Sequence, residues 1–240
     1  MDNTTSIALS RLTAQERAMD VVATNIANTG TPGFRAERLL FSDWLVRSAG
    51  GESIAYTQDR ATYRDSAAGP LTHTENPLDL AIGSEGYFSV ATSQGPRLTR
   101  PGHFALDGAG NIVDEQGNQL LDTGGQPIRL APSDTKLTIA SDGTLSSENG
   151  RIARIGVVAP QDPLKLKAEG GRLFSADTPT TQVTQPKVIQ GAIEGSNVQP
   201  ALELTRMMNQ LREFEFTSQF VQAEAEREQG AIDKITQKRN

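Results

Sequence analysis

The 240-residue sequence contains no cysteine. That excludes disulfides, thiolate catalysis and zinc-cysteine sites, and it leaves the redox compartment open. Histidine occurs only as His73 and His103, in turn-rich segments, and the two match neither HExxH nor any His-x-His ligand spacing. No apolar stretch approaches the roughly 20 residues of a membrane span. The start, Met1-Asp2-Asn3-Thr4-Thr5-Ser6, lacks the basic region and apolar run of a secretory signal, so any export is expected to proceed without a cleaved signal peptide. Net charge is -6 and the isoelectric point is near 5.1, with no run of like charge. Nothing there forms an electrostatic footprint for nucleic acid or anionic membrane, and the expected partner is protein.

Catalytic motifs are missing as well. Gly83-Ser84-Glu85-Gly86 lacks the GxSxG spacing and the strand-to-helix turn of a nucleophile loop, and it reads as a β-turn. The stretch Asp107 to Glu115 has oxygen donors without the alternating Asp/Asn pattern or terminal Glu of a calcium loop, and a hairpin explains it better. There is no glycine-rich phosphate loop followed by Lys, and carboxylates are scattered singly. No catalytic, cofactor-binding or metal-ligating residue is nominated, and the chain is expected not to be an enzyme.

What the sequence does contain is concentrated at its ends. Residues 5 to 29 read as a helix, with Ala8, Leu12, Met19, Val22 and Ile26 on alternating spacings of four and three, broken at Gln15. Ser6 is the expected N-cap. Asn28-Thr29-Gly30-Thr31-Pro32-Gly33 supplies the stop. Residues 36 to 47 suggest a short amphipathic helix around Leu39, Leu40, Trp44 and Leu45. After Pro200 the helical pattern returns: Leu204, Met207, Leu211, Phe214, Ser218, Val221, Ala225, Glu228, Ile232 and Ile235 keep 3,4 spacing, broken at Ser218 and Glu228, with Gly230 a candidate end or bend. A helix over 201 to 236 would be about 50 Å long.

Between the ends the texture is short apolar runs divided by glycine turns: Leu78 to Ile82, Tyr87 to Val90, Ile112-Val113, Leu137 to Ile139 and Ile152 to Val158. Asp107-Gly108, Gly117-Asn118, Gly124-Gly125 and Asp142-Gly143 are the hairpin turns expected to need positive φ. With no helical crossovers, a sandwich or barrel is favoured over a parallel sheet. Hydrophobic residues make up 36 % and mean hydropathy is -0.41, polar for a wholly globular chain. Narrow seams on single helices are marginal in water, so each end needs a partner, most simply the other end of the same chain. The expected class is α+β, with long terminal α-helices pairing as a coiled coil and an all-β domain inserted between them. The expected segments are an N-terminal helix over 1–35, an extended linker holding a short helix over 36–75, the all-β domain over 76–190, and a C-terminal helix over 191–240.

Several blocks carry a resemblance. Met19-Asp20-Val21-Val22-Ala23-Thr24-Asn25-Ile26-Ala27-Asn28-Thr29-Gly30-Thr31-Pro32-Gly33-Phe34-Arg35 resembles the N-terminal signature of the flagellar rod and hook proteins. Asn76-Pro77-Leu78-Asp79-Leu80-Ala81-Ile82, Gly86-Tyr87-Phe88-Ser89-Val90 and Glu194-Gly195-Ser196-Asn197-Val198-Gln199-Pro200 agree with it. Asp59 to Asp65 with Gly69-Pro70-Leu71 resembles the proximal-rod branch more than the distal-rod or hook branch. Thr24 stands where the family usually has a second Asn, and Phe214 where it usually has Tyr.

The resemblance implies a structural subunit of the basal-body rod in the periplasm, carried by the flagellar type III export apparatus. It would polymerise with copies of itself and other rod subunits into the shaft that transmits torque, its terminal helices staying mobile until assembly. The expected packing residues are Ala8, Leu12, Met19, Val22, Ile26, Leu204, Met207, Leu211, Phe214, Val221 and Ala225. The motif residues are Asn25, Asn28, Gly33, Phe34, Asn76, Pro77, Asp79, Gly195, Ser196 and Asn197. Asn25 and Asn28 could bond backbone at a helix end or fix register across an interface. The competing readings are a distal-rod or hook-type subunit, and a β-domain cell-wall hydrolase or sugar-binding module with helical dimerisation ends. The last would need two carboxylates facing each other across a cleft.

Overall fold

The computed structural model describes residues 3–47, 53–169 and 172–237, in two compact units. One unit gathers residues 1–27, 37–63 and 199–240; the other gathers 28–36 and 64–198.

The first unit holds the two long helices, α1 (Asn3–Ala27) and α2 (Pro200–Gln237). Pro200 suits the first turn of α2, where its fixed φ is helical and its missing N–H is no loss. Gly230 neither ends nor divides α2. Ser6 lies inside α1 and does not cap it, because the helix begins three residues earlier. The side chains of Ile232 and Ile235 lie outside the described residues.

The stretch expected to hold a short helix over 36–47 is instead a strand, β1 (Glu37–Arg47), and it pairs with β2 (Ser53–Arg64) in a two-stranded sheet. An isolated helix of that length is marginal. The aromatic and β-branched residues Phe41, Trp44 and Val46 suit a pleated strand, as do Tyr56, Thr57, Thr62 and Tyr63 opposite. The side chains of Trp44 and Leu45 are outside the described residues.

The second unit is built of antiparallel strands. Its central strand, Tyr87–Thr92, pairs with Gly95–Thr99, Gln119–Leu120 and Val157–Pro160. Alternate residues Phe88 and Val90 point into a core shared with Leu80, Ile82, Phe104, Ile112, Leu120, Leu145 and Ile155. Phe88 and Phe104 meet edge to face with ring centroids 5.4 Å apart. Leu80–Ile82 pairs with Val188–Gln190, and Leu71–His73 pairs with Ala192–Glu194. The β unit therefore closes on itself with strands from both ends of its sequence.

One turn design occurs three times in succession. Asp107, Asp114 and Asp122 each accept the backbone N–H of residues i+2 and i+4, at 2.8 to 2.9 Å. A positive-φ glycine stands at i+3 in each: Gly110, Gly117 and Gly125. In the first turn the left-handed residue is thus Gly110, not the expected Gly108.

Candidate functional site

α1 and α2 run antiparallel. Asn25, near the end of α1, meets Glu203 near the start of α2, and Arg11 lies 3.9 Å from Glu213 further along. On α1 the buried residues are Ala8, Ala14, Gln15, Ala18, Val22 and Asn25. Of the expected seam, Ala8 and Val22 are buried, while Leu12, Met19 and Ile26 are partly buried along one flank. On α2 the covered line is Glu203, Met207, Gln210, Phe214, Thr217, Val221 and Glu224, again in steps of four and three. It includes the expected Met207, Phe214 and Val221, but alternates them with polar residues. Leu204, Leu211 and Ala225 are exposed. Among the described residues, α2 buries no apolar side chain completely.

The polar layer at one end of this pair is specific. Asn25, wholly buried, donates to the Glu37 carbonyl at 2.9 Å and to Glu203 Oε2 at 3.3 Å, and it accepts from the Glu37 N–H at 2.8 Å. One carboxamide therefore serves α1, α2 and β1. Glu203, also wholly buried, binds Arg38 at 2.8 Å and Arg206 at 2.6 Å. Sequence reasoning missed Glu203, although it sits four residues before Met207 on the same stripe. Asn28 serves the helix end, its carboxamide oxygen accepting from Thr31 Oγ1 at 3.1 Å.

Gly33, Phe34, Gly195, Ser196 and Asn197 gather inside the β unit beside a buried Glu194. Its carboxylate accepts from Arg100 Nε at 2.5 Å, Arg35 Nη2 at 3.3 Å and the Gly69 N–H at 3.1 Å. Its carbonyl accepts the Gly33 N–H at 2.7 Å. Gly33 has φ of 67°, and a Cβ there would come within 2.6 Å of the Pro101 nitrogen, so the site demands glycine twice over. Arg100 also donates to the carbonyls of Ile82, Ser84 and Gly86. Burial pulls its guanidinium below the ordinary value, and the Glu194 carboxylate opposes that pull.

Asn197 stitches three neighbouring strands of chain. Its side-chain oxygen accepts the Ala36 N–H at 2.7 Å, its amide donates to Ala67 and Asp65 carbonyls at 2.8 and 3.3 Å, and its N–H reaches the Phe34 carbonyl. Gly195 donates to the Pro70 carbonyl at 2.8 Å, and Ser196 Oγ accepts the Val198 N–H. Glu194, Arg35 and Arg100 lie far apart in the sequence, and only folding brings them together.

Asn76, Pro77 and Asp79 form a turn that closes on the core. Asn76 accepts the Leu78 N–H and donates to Asp79 Oδ1 at 2.9 Å, and that oxygen also meets His103 Nδ1 at 2.7 Å. The Pro77 carbonyl accepts from Gln190. His103 thus closes a turn, and His73 sits on a strand edge. Among the described residues, no group of three His, Cys, Asp or Glu side chains could hold a metal ion.

Three family models match. "Flagella basal body rod protein" covers residues 6–35, "Flagellar hook protein FlgE/F/G D1 domain" covers 81–147, and "Flagellar basal body rod FlgEFG protein C-terminal" covers 189–233. The chain is 34 % identical to the flagellar basal-body rod protein FlgF of Caulobacter vibrioides, over 98 % of each chain. It is 33 % identical to the FlgF protein of Mesorhizobium japonicum over 99 % of this chain and all of the other. Against the rod protein FlgG of Bacillus subtilis the identity is 30 %, over 85 % of this chain and 88 % of that one. With paired terminal helices, a β unit between them and similarity running from end to end, the chain belongs to the flagellar basal-body rod protein family.

Proposed function

We propose that this chain is a proximal-rod subunit, built into the flagellar drive shaft through its terminal helices and transmitting torque across the periplasm. Family membership makes it a structural, non-catalytic component that works among other rod subunits. What supports the finer reading is the run Asp59 to Asp65 with Gly69-Pro70-Leu71, which resembles the proximal-rod branch, beside 33–34 % identity to relatives named FlgF over 98–99 % of this chain. Copies of itself and other rod subunits are the partners, and the flagellar type III export apparatus is the route out of the cytoplasm.

Physical features support this reading. A shaft needs many modest contacts that are rigid in sum, and α2 leaves Leu204 and Leu211 exposed for contacts outside the chain. The β unit is stiffened where Glu194 holds Arg35, Arg100 and two backbone amides. The test is recovery of the full chain in isolated rods, followed by deletion of its gene. We expect the chain in the rods and a non-motile deletion strain. A strain that swims without it, or rods that lack it, would refute the assignment. In cells lacking the distal-rod subunit the chain should still enter the rod; dependence on that subunit would move it to the distal branch.

A further inference from the structure

Asn149 and Gly150 form the only Asn-Gly pair in the sequence. They close the hairpin between Thr144–Ser147 and Gly150–Arg154, in which Ser147 pairs with Gly150. Asn149 is exposed, Gly150 has φ of 122°, and a Cβ on Gly150 would meet no atom within 4 Å. Such a pair is chemically reactive. With no side chain on the following residue, its backbone nitrogen can reach the asparagine Cγ and close a succinimide ring.

Elsewhere in the β unit this route is hindered. Asn76 precedes Pro77, which has no N–H to give up, while Asn111, Asn118 and Asn197 precede Ile112, Gln119 and Val198, whose side chains crowd the approach. The Asp-Gly pairs at Asp107 and Asp142 are held off differently. Asp107 accepts from the Asn111 side chain and from the N–H groups of Asn111 and Ala109; Asp142 accepts from the N–H and hydroxyl of Thr144. Those bonds lower both pKa values, so each side chain stays an anion with an unreactive carboxyl carbon. Asn149 carries a neutral amide.

That amide is also a structural part. Its nitrogen donates to the Ser133 carbonyl at 3.1 Å and to Asp134 Oδ1 at 2.9 Å, and the same Asp134 oxygen accepts from Ser147 Oγ at 2.6 Å. Glu148 meanwhile bonds Thr135 and Lys136, so the turn at 147–150 is clasped to the segment 131–136. An oxygen in place of the Asn149 nitrogen would face acceptors alone, a carbonyl and a carboxylate.

We propose that Asn149 is the site at which this chain is modified spontaneously, its carboxamide converting to aspartate and isoaspartate through a succinimide with Gly150 and so opening the clasp on Asp134. The Gly150 nitrogen loses its proton and bonds to the Asn149 Cγ, the bond from Cγ to Nδ2 breaks, and ammonia leaves. Water then opens the ring at either carbonyl. No oxidant or reductant is needed, and the chain gains one negative charge beyond its net -6. While the clasp is closed, its hydrogen bonds hold the carboxamide away from reaction. Once converted, the side chain repels Asp134 instead of binding it.

The test incubates the full chain in mildly alkaline buffer below its unfolding transition and follows the tryptic peptide 137–151 by mass spectrometry, with isoaspartate scored by isoaspartyl methyltransferase labelling. The folded chain should convert first at Asn149, and about tenfold or more slowly than the same chain unfolded in urea, where the bonds to Ser133 and Asp134 are gone. Asp134→Ala should convert several-fold faster than the unmodified folded chain. Asn149→Asp should unfold at a lower temperature than the unmodified chain at neutral pH, and the difference should narrow as acid neutralises the pair. First conversion at another asparagine would overturn the proposal, as would equal rates in the folded and unfolded chain. So would a folded Asp134→Ala that converts at the unmodified rate, or an Asn149→Asp chain with an unmodified midpoint. The comparison of folded with unfolded chain needs no variant, so it decides the matter even where Asp134→Ala does not fold.

Discussion

Asn25 joins α1, α2 and β1 with a single carboxamide, and no hydrophobic residue could replace its bonds to the Glu37 backbone. Asn25→Ala would take one hydrogen-bond partner from each of the part-buried Glu37 N–H and carbonyl and from the buried Glu203 carboxylate. A loss of about 2–3 kcal/mol in the stability of the helical unit is expected, read from urea unfolding. Asn25→Asp should destabilise further at neutral pH, since it sets a second carboxylate beside a wholly buried Glu203; equal stability of the two variants would contradict the geometry. Glu194→Gln tests the β unit in the same way. It removes the carboxylate bonded to the buried Arg100, and breaking a buried pair costs about 3–5 kcal/mol. Arg100→Lys should fail to substitute, because an ammonium cannot reproduce the guanidinium fork that reaches Glu194 and three carbonyls at once.

At the scale of turns and strands, carboxylates act as backbone acceptors. Glu148 accepts from Thr135 Oγ1 and from the N–H groups of Thr135 and Lys136. Those bonds hold its pKa down to about 2, and Asp107, Asp134 and Asp142 are lowered by their own side-chain and backbone bonds. A depressed folded-state pKa means the stability is fully present above the unfolded value and is lost as pH falls through the folded one. For Glu148 that window runs from its ordinary 4.5 down to about 2. Unfolding midpoints should therefore drop over this range, and Glu148→Gln should flatten part of the slope; an unchanged slope would remove Glu148 from the explanation. The hairpins were legible in sequence because Asp and Gly at fixed offsets carry their own geometry. β1 was not, because Leu39, Leu40, Trp44 and Leu45 satisfy a helical spacing as well as a strand. Asn25 bonding to Glu37 favours the strand, and that contact spans twelve residues. The α2 stripe was off by one residue at alternate positions for a related reason: hydrophobicity selected Leu204 and Leu211, whereas the covered line runs through Glu203, whose carboxylate finds Asn25 on the partner helix, and Gln210.

Taken whole, the two units differ in what they bury. The β unit surrounds Phe88, Phe104, Leu120, Leu145 and Ile155 with a dozen or so further apolar side chains. The buried apolar residues of the helical unit, among those described, are Ala8, Ala14, Ala18 and Val22. Alanine contributes little apolar area, and a polar residue occupies every second position on the covered line of α2, so the helix pair should be the weaker of the two. The chain is then not a single two-state system. On heating, the far-ultraviolet helical signal should fall first, and the loss of the β core should follow at higher temperature. Limited proteolysis between the two transitions should trim the ends back to near residues 28 and 198 and cut within 37–63. Coincident transitions by both probes, or protected termini at the intermediate temperature, would show that the units stand or fall together. A subunit whose helices are marginal alone, with its leucines and phenylalanines outside the pair, reaches full helical stability only when neighbours cover those residues. Ordering is then expected to be coupled to incorporation, the bound state being favoured by the burial that the isolated chain lacks.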